Sequence, residues 1–84
     1  MAASTRTIRV QYYALLREQA GRNEERLVTS AATPAELYAE LSRRYPFSLV
    51  REQLKVAVNA EFADWTVALN DNDSIVFIPP VAGG

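Results

Sequence analysis

The chain holds three glycines, and two of them, Gly83 and Gly84, are its last two residues. A glycine carboxylate at a chain end has chemistry of its own. It is a poor electrophile and must first be activated, usually as an acyl-adenylate made from ATP. Glycine suits that step because it has no side chain to block a narrow channel or crowd the attacked carbonyl, and no stereocentre to racemise. The competing reading of the same pair is a flexible domain end, where such residues are common. The rest of the inventory is sparse. The chain has no His and no Cys, so the usual general base and the strongest nucleophile are absent, and no Ser–Lys spacing replaces them. It is poorly equipped as a stand-alone hydrolase or transferase. A carrier, a subunit or a binding module fits better.

Composition narrows the classes further. At 84 residues the chain makes one small domain, with room for a single core. Its hydrophobic content of 49% and charged content of 23% are ordinary for a folded protein. A net charge of −1 gives no bulk electrostatic case for nucleic acid or an anionic membrane. No segment approaches membrane-spanning length, and residues 1–6 have no apolar stretch behind them like a signal peptide; a cytoplasmic location is expected. Without cysteine there is neither a disulfide scaffold nor a thiolate metal site. Asn70-Asp71-Asn72-Asp73 superficially resembles a calcium loop, but it lacks the glycine and the distal glutamate, so it reads as a turn and no metal site is expected.

The elements that must present the end of the chain can be read from periodicity. Thr7–Tyr13 alternates, with Ile8, Val10 and Tyr12 on one face and Arg9, Gln11 and Tyr13 on the other, which predicts a strand with one buried face. Leu15–Ala20 reads as a short helical turn closed by a left-handed Gly21, and Glu24–Thr29 as a strand returning antiparallel. Thr33-Pro34-Ala35-Glu36 carries a helix start: Thr33 as cap, Pro34 in first position, Glu36 as capping-box partner. Leu37, Tyr38, Leu41 and Tyr45 then share a stripe, with Glu40, Arg43 and Arg44 turned away, and Pro46 stops the helix. Phe47–Gln53 is ambiguous between loop and helical turn. Lys55–Asn59 is a strand, Phe62–Leu69 a less regular strand or hairpin, and Ser74–Ile78 the last strand. The expected fold is α+β, a mixed sheet of four to five strands with one main covering helix. A β-grasp (ubiquitin-like) topology meets this order, with first and last strands adjacent and parallel at the sheet centre. The expected layout is an N-terminal extension at 1–6, the domain at 7–78 and a flexible Gly-Gly tail at 79–84.

YYALLREQAG at Tyr12–Gly21, TPAEL at Thr33–Leu37, VAVN at Val56–Asn59 and the ending DSIVFIPPVAGG together resemble the small subunit of molybdopterin synthase, the MoaD-type sulfur carrier. The likeness runs from about Thr7 to Gly84. Cap chemistry like TPAEL occurs in many folds; the aromatic pair before A-x-L-R-E-x-A-G, combined with F-x-P-P-V-x-G-G, is far more specific. The resemblance implies that a ubiquitin-activating-type adenylyltransferase (MoeB-type) uses ATP to adenylate Gly84. A sulfur donor enzyme then displaces AMP and leaves a thiocarboxylate. The tail, Pro79, Pro80, Val81, Ala82, Gly83 and Gly84, would insert into the large subunit (MoaE-type), where the sulfur passes to cyclic pyranopterin monophosphate to build the dithiolene. Two charged carriers serve each product, and the family implies two copies at the ends of a large-subunit dimer. No permanently bound cofactor is expected on this chain.

Six residues reach at most about 20 Å when extended. Ordering them would cost roughly 6–12 kcal/mol in backbone entropy, which Pro79-Pro80 lowers by fixing φ near the extended conformation. The resemblance also implies an apolar patch at Tyr13, Phe62 and Ile78 packing on the large subunit, with Arg17 placed to pair with a partner acid. Strand parity agrees for Ile78: Ile75 and Phe77 face inward, Val76 and Ile78 outward. The alternatives are that Tyr13 and Phe62 complete a small core and that Arg17 is a solvated charge near Glu18. Trp65 reads as core or hairpin packing, and Asn59 as a residue satisfying backbone groups at a strand end. Other functional readings are a carrier supplying sulfur for the thiamine thiazole, a ubiquitin-like modifier joined to lysines of target proteins, and a non-covalent β-grasp module. Lys55, the single lysine, argues against chain building.

Overall fold

The computed structural model of the protein describes residues 4–80. Its elements are β1 (Arg6–Tyr12), α1 (Ala14–Ala20), β2 (Glu24–Thr29), α2 (Pro34–Arg44), a 3-10 turn at Arg51–Gln53, β3 (Lys55–Val58), β4 (Glu61–Ala63) and β5 (Ser74–Ile78). The five strands form one sheet in the order β2-β1-β5-β3-β4. β1 is antiparallel to β2 and parallel to β5, while β3 is antiparallel to β5 and β4. This is the β-grasp arrangement anticipated from element order. β1 takes in Arg6, one residue before the strand that alternation gives.

One face of the sheet carries the core. Ile8, Val10 and Tyr12 of β1, Leu27 of β2, Val56 of β3, and Ile75 and Phe77 of β5 are buried against Leu37, Tyr38 and Leu41 of α2 and Leu16 of α1. Burying a side chain of that size stabilises the fold by about 1.5–3 kcal/mol, so the amphipathic stripe of α2 fixes which face is closed.

The start of α2 is satisfied donor by donor. Thr33 Oγ1 accepts from the Glu36 amide at 3.2 Å, the Thr33 carbonyl accepts from the Leu37 amide, and the Ala35 amide donates to the Trp65 carbonyl at 3.1 Å. Pro34 brings no donor. Glu36 reaches back to the Ala32 amide at 3.2 Å, one residue before the expected capping-box partner. At the far end Tyr45 is extended, as a residue before proline must be. Gly21 closes α1 at φ 75, the left-handed position expected of it.

Three expectations need correction. Phe62–Leu69 does not continue as a strand. Asn59 and Ala60 lie at φ 51 and 72, a two-residue turn that pairs Val58 with Glu61, and β4 ends after Ala63. The chain then leaves the sheet because the Trp65 carbonyl caps α2 and its ring stacks on Phe77 at 5.8 Å. Glu40 is not turned to solvent: it accepts from the buried Thr29 hydroxyl at 2.6 Å, because a hydroxyl facing the helix needs a partner. Tyr13 is not a strand residue; β1 stops at Tyr12, and Tyr13 is the extended residue that precedes α1.

Candidate functional site

Among the described residues no helix covers the second face of the sheet. Register sets its rows. Gln11 lies opposite Val76, Val76 opposite Ala57, and Ala57 opposite Phe62. One step along β5, Ile78 lies opposite Lys55. Val76 and Ile78 are half-buried outward residues alternating with fully buried Ile75 and Phe77, the parity expected for β5. Ala57 is buried on this open side because its longer neighbours cover it.

Phe62 is 74% exposed and Tyr13 49% exposed, so neither completes the core. Phe62, Ile78, Pro79 and Pro80 are brought together, and with Gln53 and Lys55 they line an apolar concavity of about 340 Å³. Tyr13 does not line it. It follows Tyr12, which pairs with Phe77, so it stands beside the same end of β5 from the β1 side. Arg17 is one helical turn further on, its amide on the Tyr13 carbonyl at 3.4 Å, and its exposed side chain has no carboxylate at ion-pair distance among the described residues. The expected patch is therefore two neighbouring groups: Phe62, Ile78 and the two prolines in the concavity, and Tyr13 with Arg17 at the start of α1. Val81, Ala82, Gly83 and Gly84 lie outside the described residues.

Sequence reasoning marks Lys55 only as the single lysine and passes over Gln53. Alternation about buried Val56 would have turned Lys55 outward, but only the β3–β5 register puts it beside Ile78. β5 is the central strand, bonded on both sides, and Phe62 puts exposed apolar area beside its end. The other residues read from sequence fall where structure needs them. Trp65 packs on the core. Asn59 donates to Asp73 at 2.9 Å and accepts from the Ser74 amide at 2.9 Å. The Asn70–Asp73 turn uses its carboxylates internally, Asp73 also accepting from the Asn70 amide and Asp71 from the Thr7 amide, and no metal-ligating cluster occurs among the described residues.

A 2-1-5-3-4 mixed sheet with a parallel central pair and one main covering helix defines a ubiquitin-like β-grasp protein. Residues 10–84 match the model of the ThiS family, and the chain belongs to that family of small carrier and modifier domains. Among solved structures it is similar to the putative molybdopterin converting factor, subunit 1, from Pyrococcus furiosus, at 27% identity and a TM-score of 0.74, covering 90% of this chain and 99% of that one. It is similar to SAMP1 from Haloferax volcanii at 26% identity and a TM-score of 0.76, covering 93% and 99%. A third similar chain belongs to the protein–protein complex of subunits 1 and 2 of molybdopterin-converting factor from Helicobacter pylori, at 25% identity and a TM-score of 0.63, covering 93% and 99%. No helix among the described residues is long and apolar enough to cross a membrane.

Proposed function

We propose that the chain is the sulfur-carrier subunit of a molybdopterin synthase. Gly84 is adenylated with ATP by a MoeB-type activating enzyme, a sulfur donor displaces AMP to give the thiocarboxylate, and the tail delivers sulfur to cyclic pyranopterin monophosphate inside a MoaE-type large subunit. Two carriers at the ends of a large-subunit dimer make a heterotetramer. The chain contributes the reactive terminus and the surface that aims it; acid and base groups belong to its partners, which accounts for a chain without His or Cys. The observation that carries the reading is the exit of Pro79-Pro80 from the central strand beside exposed Phe62 and half-buried Ile78. The Helicobacter pylori complex of subunits 1 and 2 supports a large-subunit partner of this kind.

The likeness to SAMP1, small archaeal modifier protein 1, favours a second reading, conjugation through Gly84 to lysines of target proteins. Both readings share the adenylation step and differ in its product. Intact-mass analysis of the protein made with its activating enzyme and sulfur donor is expected to show one terminal oxygen replaced by sulfur. Free carboxylate alone under those conditions rejects the carrier reading. Isopeptide-linked adducts without sulfuration select the modifier.

A further inference from the structure

We propose that the open sheet face holds a second site, at the end away from the tail, that binds a phosphoryl-type oxyanion. Arg9 of β1 stands directly opposite Arg26 of β2, and Ser74 of β5 stands opposite Arg9 on its other side. With Thr7 and Asn72 these residues line a cavity of about 210 Å³. Like charges directly opposite on neighbouring strands destabilise a sheet. Among the described residues Arg9 has one carboxylate at ion-pair distance, Glu24 at 4.0 Å on a half-exposed side chain, and Arg26 has none. The acids of the adjoining turn are engaged with other groups: Asp71 with the Thr7 amide at 2.6 Å, Asp73 with the Asn59 side chain and the Asn70 amide.

Two guanidinium forks beside two hydroxyls and a carboxamide form a donor-rich hollow, and paired arginine forks match the oxygens of a phosphate. An anion seated there turns the Arg9–Arg26 repulsion into attraction to a shared centre. Ser74 begins β5 and Ile78 ends it, so the hollow lies about 13 Å along the strand from the base of the tail. It leaves that surface free and does not depend on the carrier reading.

The test is an amide-resolved NMR titration of the isotope-labelled full chain with inorganic phosphate against chloride at matched ionic strength. Saturable shifts are expected at Thr7, Arg9, Arg26, Asn72 and Ser74, with phosphate raising the melting temperature more than chloride does. Arg26→Gln and Arg9→Gln, both exposed positions, are each expected to weaken the site about tenfold, and Arg43→Gln on α2 to leave it unchanged. A parallel titration with glycerol 3-phosphate separates sources: tighter binding of the ester assigns the site to a phosphorylated small molecule, equal or weaker binding to the free ion. Shifts that never saturate, or that chloride reproduces, overturn the proposal, as do Arg9 and Arg26 variants that titrate like the parent.

Discussion

Glu25 lies on the edge strand β2, yet its side chain turns inward and is 8% exposed. It accepts from the phenols of Tyr12 at 2.5 Å and Tyr45 at 2.7 Å, and meets Arg22 at 3.4 Å. One carboxyl thus ties β1, β2 and the end of α2. Burial, then the hydrogen bond to Glu25 and its charge, hold the Tyr12 phenol far above its ordinary value, and the same causes raise Tyr45. Tyr38, whose hydroxyl donates to the Leu49 carbonyl at 2.6 Å, is raised mainly by burial. A phenol whose folded pKa lies above its unfolded one gives stability that is complete below the unfolded value, near 10, and is lost as pH rises beyond it. Urea unfolding between pH 7 and 11 should therefore give a flat stability up to about pH 9 and a fall above it. Tyr12→Phe should cost about 1–3 kcal/mol at neutral pH, by leaving Glu25 a donor short, and should make the alkaline fall shallower. An unchanged alkaline slope in that variant would exclude Tyr12 as the responsible group.

Elements here are bounded by single contacts, and two of those boundaries are open to measurement. The Thr33 hydroxyl is one of three acceptors at the start of α2, so Thr33→Ala should destabilise the domain by about 1 kcal/mol while Thr33→Asn retains most of the stability. Gly21 has open space where a Cβ would stand, but its φ of 75 belongs to the left-handed region. Gly21→Ala should therefore cost roughly 1–2 kcal/mol from backbone strain alone. Denaturant midpoints at constant slope check both; a neutral Gly21→Ala would mean that α1 ends differently in solution.

At the scale of the whole molecule, α2 closes one face of the sheet, no described helix covers the other, and Pro79-Pro80 follow the central strand. Phe62 and Tyr13 are exposed and lie outside the core. If a large subunit docks there, Phe62→Asp and Tyr13→Asp should weaken its binding at least about tenfold, as central apolar anchors do, with unchanged thermal melts. Val28→Asp is the control: Val28 is 63% exposed and equally apolar, but lies on β2 at the opposite edge. Isothermal titration with the purified large subunit decides, and equal affinities for all three variants would remove the surface from the mechanism.

Local signals in the sequence determined a good deal. Alternation about Ile8, Val10, Ile75 and Phe77 set strand faces and put Ile78 on the open side, and Thr33-Pro34 and Gly21 set helix ends. These features are legible because each depends on neighbours a few residues away. The tertiary structure decided the rest. Asp64–Leu69 left the sheet because Trp65 was needed at α2 and Phe77, which lie far away in sequence. Glu25 and Glu40 turned inward for hydroxyls on other elements. Lys55 came to stand beside Ile78, and Arg9 to face Arg26, through strand register alone. Register is fixed by burying one whole face at once, a cooperative condition that no short window of sequence contains.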